Sequence, residues 1–152
     1  GEPFVGDAIP SSELLMHSAI YHARKDVKAV MHTHSIFASA LAVAGVKIQV
    51  ILDEMVFTIG GEISVTEYAH PASEELGLEV VKALGEKNAA LIKNHGFVGV
   101  GKTLKEAHNT CLLGEHLAKV QTYSSMVGRI DTIPDDIVKS EQEIFKMRKL
   151  SS

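Results

Sequence analysis

Residues 88–101 read Asn-Ala-Ala-Leu-Ile-Lys-Asn-His-Gly-Phe-Val-Gly-Val-Gly, and this stretch decides the fold. Asn88 to Lys93 is an apolar run of strand length, Asn94-His95-Gly96 is a tight break, and Phe97 to Val100 is a second apolar run. Two such runs across a short break predict a hairpin or near-hairpin of buried strands. Buried strands need cover, and helices on their flanks supply it.

Working outward confirms that need on both sides. Thr103 caps a long helix reaching to about Met126, with Leu104, Ala107, Cys111, Leu112, Glu115, Leu117 and Ala118 on one stripe. Pro134 starts a final amphipathic helix carrying Ile137, Val138, Ile144, Phe145 and Met147. Before the hairpin, Ser73 or Ala72 starts a helix through about Leu84, and Tyr68 to Pro71 is a loop. Glu62 to Val65 and Lys47 to Leu52 read as short strands, the latter followed by the acidic pair Asp53-Glu54. Ser35 caps a helix from Ile36 to Ala44 that ends at Gly45. Val27 to Met31 reads as a buried strand running into His32-Thr33-His34. Ser11 and Ser12 open a helix whose apolar face is Leu14, Leu15, Ala19 and Ile20, and residues 1–10 form an opening loop. Helices and strands alternate, so the class is α/β with helices covering a sheet.

The chain has 152 residues, 45% hydrophobic and 22% charged, which fits one globular domain over residues 1–152 and excludes disorder as the main state. Cys111 is the single cysteine, so no disulfide framework exists. A net charge of −4 with scattered basic residues shows no nucleic-acid footprint. Apolar stretches are too short and too broken to span a membrane. The chain starts at Gly1 in what reads as mid-loop, which points to an N-terminally incomplete fragment. The lone cysteine and the absence of a targeting signal fit the cytoplasm.

Chemistry concentrates in the histidines. At a strand end, positions i and i+2 face the same side, so His32 and His34 can grip one metal ion. Eight histidines in the chain give about 0.4 such pairs by chance, so a pair of partly exposed strand-end histidines is the plain alternative. His95 also follows an apolar strand, with Gly96 next to it. Three imidazoles from two strand ends, with a coordination position left open, is the arrangement of catalytic zinc, and neutral imidazole also suits other divalent ions; a simple turn residue is the other reading of His95. Ser11-Ser12-Glu13 opens a helix, where N–H groups and the macrodipole favour an anion such as a sugar phosphate, although these are also ordinary first-turn residues. His17, His22, His108 and His116 read as helix fillers, and Cys111 as a buried structural thiol. Gly99 to Thr103 lacks the earlier glycine of a phosphate loop.

Taken in order, Pro10-Ser11-Ser12-Glu13, His32-Thr33-His34-Ser35 and Lys93-Asn94-His95-Gly96 resemble the class II aldolase/adducin family, nearest its fuculose-phosphate-cleaving branch, from about Gly6 to Val120. The resemblance implies a three-layer α/β/α sandwich around a mostly antiparallel central sheet, here lacking its N-terminal part. It implies that His32, His34 and His95 are zinc ligands, that Glu13 is the catalytic acid/base, and that Ser11 and Ser12 hold substrate phosphate. It implies a homotetramer with sites between neighbouring subunits. The activity implied is zinc-dependent cleavage of a ketose 1-phosphate to dihydroxyacetone phosphate and an aldehyde. A ribulose-phosphate 4-epimerase, a sugar-phosphate dehydratase and a non-catalytic adducin-like module are the alternatives. Two features depart from the family pattern: the Gly-Asn-x-Ser stretch and Thr-Gly pair of the phosphate site are absent, and Asp53 stands near a position where aldolases carry a tyrosine and epimerases an aspartate. Tyr123 is a candidate proton donor to the aldehyde oxygen.

Overall fold

Three strands form the sheet: β1 (Ala29–Thr33), β2 (Ala89–Ile92) and β3 (Gly96–Gly101). The computed structural model describes residues 11–150, so the opening loop and Pro10 lie outside the described residues. The order is β1-β3-β2, antiparallel throughout, with Ala29 opposite Gly101, Thr33 opposite Phe97 and Ile92 opposite Gly96. The hairpin expected from residues 88–101 is therefore β2–β3, and β3 is the central strand.

Period-two alternation splits the strand side chains between two cores. Val30, Ala90, Ile92, Val98 and Val100 face one side, where they meet Met16 and Ile20 of α1 (Leu14–Ala23) and Leu76, Val80 and Leu84 of α4 (Glu74–Leu84). Ala89, Leu91 and Phe97 face the other side. There they meet Ala38 and Ala42 of α2 (Ile36–Ala44), Met55 and Ile59 of α3 (Asp53–Ile59), and Cys111, Leu117 and Ala118 of α5 (Leu104–Val127). Helices on both faces make the three-layer α/β/α arrangement. The last helix, α6 (Asp135–Leu150), closes over the end of α3, where Phe145 is buried and Gln142 Nε2 donates to the Gly60 carbonyl at 2.9 Å.

Local signals placed several boundaries. Ser73 and Thr103 cap α4 and α5, their hydroxyls accepting from the N–H groups of Leu76 and Glu106. The helix Ile36–Ala44 begins and ends as expected. Other expectations need correction. The Lys47 to Leu52 strand is reduced to an isolated bridge, Ile48 with Ile63, and the Glu62 to Val65 strand to that bridge and a parallel one between Val65 and Leu91. Asp53 and Glu54, expected only to follow a strand, open a helix, and both are exposed. Helix α1 starts at Leu14, so Ser11 and Ser12 precede it and Glu13 occupies the N-cap. Its buried residues are Met16 and Ile20, while Leu15 is exposed. On α5, Leu104 and Leu112 are exposed, because the close approach to Gly99 and Gly101 selects the face carrying Ala107, Thr110 and Cys111.

Candidate active site

The end of β1 and the β2–β3 turn lie side by side because β1 pairs with β3. The turn is tight: His95 N–H donates to the Ile92 carbonyl at 3.0 Å, and Asn94 takes the left-handed backbone with φ of 55°. Buried Thr66 holds the turn from below, its Oγ1 accepting from Lys93 N–H at 2.9 Å. The sheet register thus brings His95 to His32 and His34 across 63 residues of chain.

All three Nε2 atoms turn inward. His32 Nε2 lies 2.9 Å from His34 Nε2 and 3.3 Å from His95 Nε2. The ring centroids are 4.8, 4.8 and 4.9 Å apart, and the ring planes cross at 69–78°. Three rings edge-on to one another, rather than stacked, direct their nitrogens to a common point. Ligands about 2.0–2.1 Å from one ion at tetrahedral angles stand about 3.4 Å apart, which is the size of these separations. The His32/His34/His95 group can therefore hold a metal ion. Gly96 makes room for it. A Cβ there would lie 2.5 Å from the Thr33 carbonyl oxygen and 2.9 Å from His34 Cδ2, so a side chain would drive the two strand ends apart.

Hydrogen bonding and burial prepare these rings for a cation. His32 Nδ1 lies 3.0 Å from the Phe97 carbonyl; donating its proton there leaves Nε2 as a lone pair facing the cluster. Burial pushes the His32 imidazole down to about 4, with smaller lowering contributions from His95 and His34 and opposition from the Phe97 carbonyl and Glu13. Burial also lowers His95, opposed by Glu13. Both rings are neutral at pH 7, the form a metal requires.

Glu13 completes the cluster. α1 covers the face onto which His32 projects, and the N-cap position brings the Glu13 carboxylate in over the strand ends. Glu13 is buried, with Oε1 3.9 Å from His95 Nε2. Since His95 is neutral, this is no ion pair at pH 7. Glu13 Oε2 and His95 Nδ1 are buried without a hydrogen-bond partner among the described residues. Ser11 Oγ accepts from Glu13 N–H at 3.2 Å, and both Ser11 and Ser12 are exposed immediately before it.

The remaining candidates lie apart. Tyr123 packs edge-on against Phe37 at 5.5 Å, with Lys119 over both rings, and is half exposed. His22, His108 and His116 are exposed, while His17 is partly buried and its imidazole is lowered by that burial. Cys111 is buried and its thiol is pushed up to about 11 by desolvation, which keeps it protonated and unreactive. Sequence reasoning missed Glu115, whose two carboxylate oxygens take the N–H groups of Phe37 and Ala38 at the start of α2. Its signal was a carboxylate interrupting the apolar stripe of a long helix.

Residues 1–122 match the family described as Class II Aldolase and Adducin N-terminal domain. A 5-methylthioribulose-1-phosphate/5-deoxyribulose-1-phosphate aldolase from Rhodospirillum rubrum is 31% identical over 93% of this chain and 64% of its own length. An L-fuculose phosphate aldolase from Escherichia coli is 30% identical over 90% of this chain and 61% of its own length. A solved L-fuculose 1-phosphate aldolase superposes with a TM-score of 0.87 at 30% identity, over 93% of this chain and 66% of that one. The chain thus spans about two thirds of the relatives it matches.

Proposed function

The chain belongs to the class II aldolase and adducin family, and we propose that it forms the metal-binding and acid/base part of a zinc-dependent aldolase acting on a ketose 1-phosphate of the fuculose 1-phosphate kind. The observation that carries this reading is the convergence of three Nε2 atoms beside a buried carboxylate with an unpartnered oxygen. His32, His34 and His95 hold the ion. Zinc bound there supplies Lewis-acid polarisation of a carbonyl.

The products are dihydroxyacetone phosphate and an aldehyde. Cleavage breaks the bond between the carbon next to the carbonyl and the carbon beyond it. The hydroxyl on that farther carbon passes its proton to water and becomes the aldehyde oxygen, so that with the proton delivered to carbon the step is neutral overall. Glu13 delivers a proton to the carbon next to the carbonyl, and in the synthetic direction removes it. Burial beside the histidines keeps this carboxylate out of bulk water, as a general acid/base requires. Ser11 and Ser12, exposed beside Glu13, hold the phosphate, so that binding energy fixes the reacting carbon over the acid/base group.

Two relatives' names bracket the substrate. L-fuculose 1-phosphate and 5-deoxyribulose 1-phosphate share the same three-carbon phosphate half and differ in the aldehyde released. A non-catalytic adducin-like module has no use for three convergent imidazoles. The reading includes a homotetramer acting in the cytoplasm; no described helix is long and apolar enough to cross a membrane. The test is to load the protein with zinc, count bound metal, and identify products from both ketose 1-phosphates and from ribulose 5-phosphate. One zinc per chain and release of dihydroxyacetone phosphate are expected. Epimerised pentulose phosphate without cleavage products would assign the site to a 4-epimerase instead, and absence of bound metal would remove the reading.

A further inference from the structure

Helix α2 starts at Ile36, two residues after His34, and its N-terminus is capped in an unusual way. The N-cap residue Ser35 makes no capping hydrogen bond, and its Oγ is buried without a partner among the described residues. The N–H groups that a local cap would satisfy are those of the second and third helical residues. Here both are taken by one distant carboxylate: Phe37 N–H donates to Glu115 Oε1 at 3.0 Å, and Ala38 N–H to Glu115 Oε2 at 2.8 Å. The charge also sits at the positive end of the α2 dipole.

Its neighbours on α5 reach the other supports of the cluster. Cys111 Sγ donates to the Met31 carbonyl of β1 at 3.6 Å. Gly114 lies against the ring of Phe97, where a Cβ would come within 2.2 Å of Cζ. The Phe97 carbonyl in turn orients His32. One face of α5 therefore contacts β1, the residue that orients His32, and the helix that follows His34.

We propose that Glu115 is a positioning residue for the metal centre: by capping α2 from another helix, it fixes the β1–α2 junction and with it the His34 ring, and so sets metal affinity. This rests on His32, His34 and His95 being the metal ligands. Groups one step behind ligands commonly change metal affinity by about 10–100-fold, and Glu115, one step further back, should act at the lower end of that range.

The experiment uses cobalt(II), whose visible spectrum reports ligand geometry, in competition with a chelator. Glu115→Gln keeps the size but offers one acceptor oxygen and turns an NH2 group toward the second N–H. It should weaken cobalt binding by about 10-fold and alter the spectrum. Ser35→Asn in the Glu115→Gln background supplies a local cap and should restore most of the affinity. Gln121→Ala is the control: Gln121 also lies on α5, is buried, and also makes two hydrogen bonds, to Gln49 N–H and the Lys47 carbonyl, away from the histidines. It should leave cobalt affinity unchanged. Equal affinity in Glu115→Gln and the parent, or an equal loss in Gln121→Ala, would overturn the proposal while leaving the three-histidine site standing. A parent protein that binds no cobalt would overturn the site itself.

Discussion

The two ends of the sheet are built from similar polar side chains and use them in opposite ways. At the end where β1 begins, Arg24 closes on Asp26: Nε and Nη2 meet the two carboxylate oxygens at 2.8 and 2.7 Å, and Nη1 reaches the carbonyls of Gly85 and Lys87 at 2.6 and 2.9 Å. Lys149 stands 3.2 Å from the same carboxylate. At the end where β1 stops, three imidazoles face one another, and the neighbouring carboxylate has an oxygen without a partner. Saturated groups tie chain segments together. Buried groups with bonding capacity left over cost stability, and a ligand that binds them offsets that cost. The first end is a lock and the second is a site. Substitutions at the two ends should therefore fail in different assays.

The largest effect is expected from His95→Asn. It removes one of three ligands, so zinc binding and cleavage of fuculose 1-phosphate should both fall below detection. The metal-free protein should nonetheless unfold at the same urea concentration as the parent. A large drop in that midpoint would show that the histidine end is itself structural, and the contrast between the ends would disappear.

Glu13→Gln comes next. It keeps the size and hydrogen-bonding capacity but removes the proton acceptor. Turnover should drop by roughly 10²–10⁴-fold with zinc content intact, the usual worth of a positioned acid/base. Near-normal kcat would reduce Glu13 to an N-cap residue.

How much of this contrast was legible beforehand depended on the range of the signal. Ser35 with Gly45, Thr103, and the Asn94-His95-Gly96 break are local signals, and α2, α5 and the hairpin appeared where they pointed. Helix α3 has no such mark: it runs only from Asp53 to Ile59 and follows an apolar N-cap, Leu52. The Lys47 to Leu52 run alternates like a strand, but Gln121 takes the Gln49 N–H and the Lys47 carbonyl that a ladder would have used. The histidine cluster could be read because two apolar runs each end in histidine. The burial of Glu13 could not, since it depends on how α1 packs over the strand ends, and periodicity within α1 carries no information about that. The Arg24–Asp26 lock was not legible, because its partners lie 61 and 63 residues away.

The lock should fail through stability. Arg24→Met removes four hydrogen bonds and leaves Asp26 with Lys149 alone. Hydrogen bonds to charged groups are individually worth about 1.5–3 kcal/mol, but Asp26 is partly open to water, so a net loss of about 2 kcal/mol is expected in urea unfolding. Zinc affinity should be unchanged. A variant that lost zinc as well would show that the two ends are coupled through β1.

The smallest effect separates the two ends by pH in the metal-free protein. His32 titrates near 4 in the folded chain, against 6.5 for the free side chain. Between those values the unfolded chain binds the proton that the folded one refuses, so stability falls as pH drops from 6.5 toward 4. Asp26 is held well below the usual carboxylate range, chiefly by its hydrogen bonds to Arg24. Its contribution is complete above 3.8 and is lost only as pH falls further. Both groups thus favour the folded state at higher pH, but in adjoining windows. His32→Asn keeps a donor for the Phe97 carbonyl and removes the titrating ring. Since the ring is partly exposed, it should flatten the fall in stability between pH 6.5 and 4.5 by about 1 kcal/mol, and leave the loss below pH 3.8 as steep as before. Urea midpoints at half-unit pH steps measure both windows. Equal slopes for His32→Asn and the parent between pH 6.5 and 4.5 would mean that His32 takes up its proton in the folded chain as readily as in water, and that burial does not hold this ring neutral.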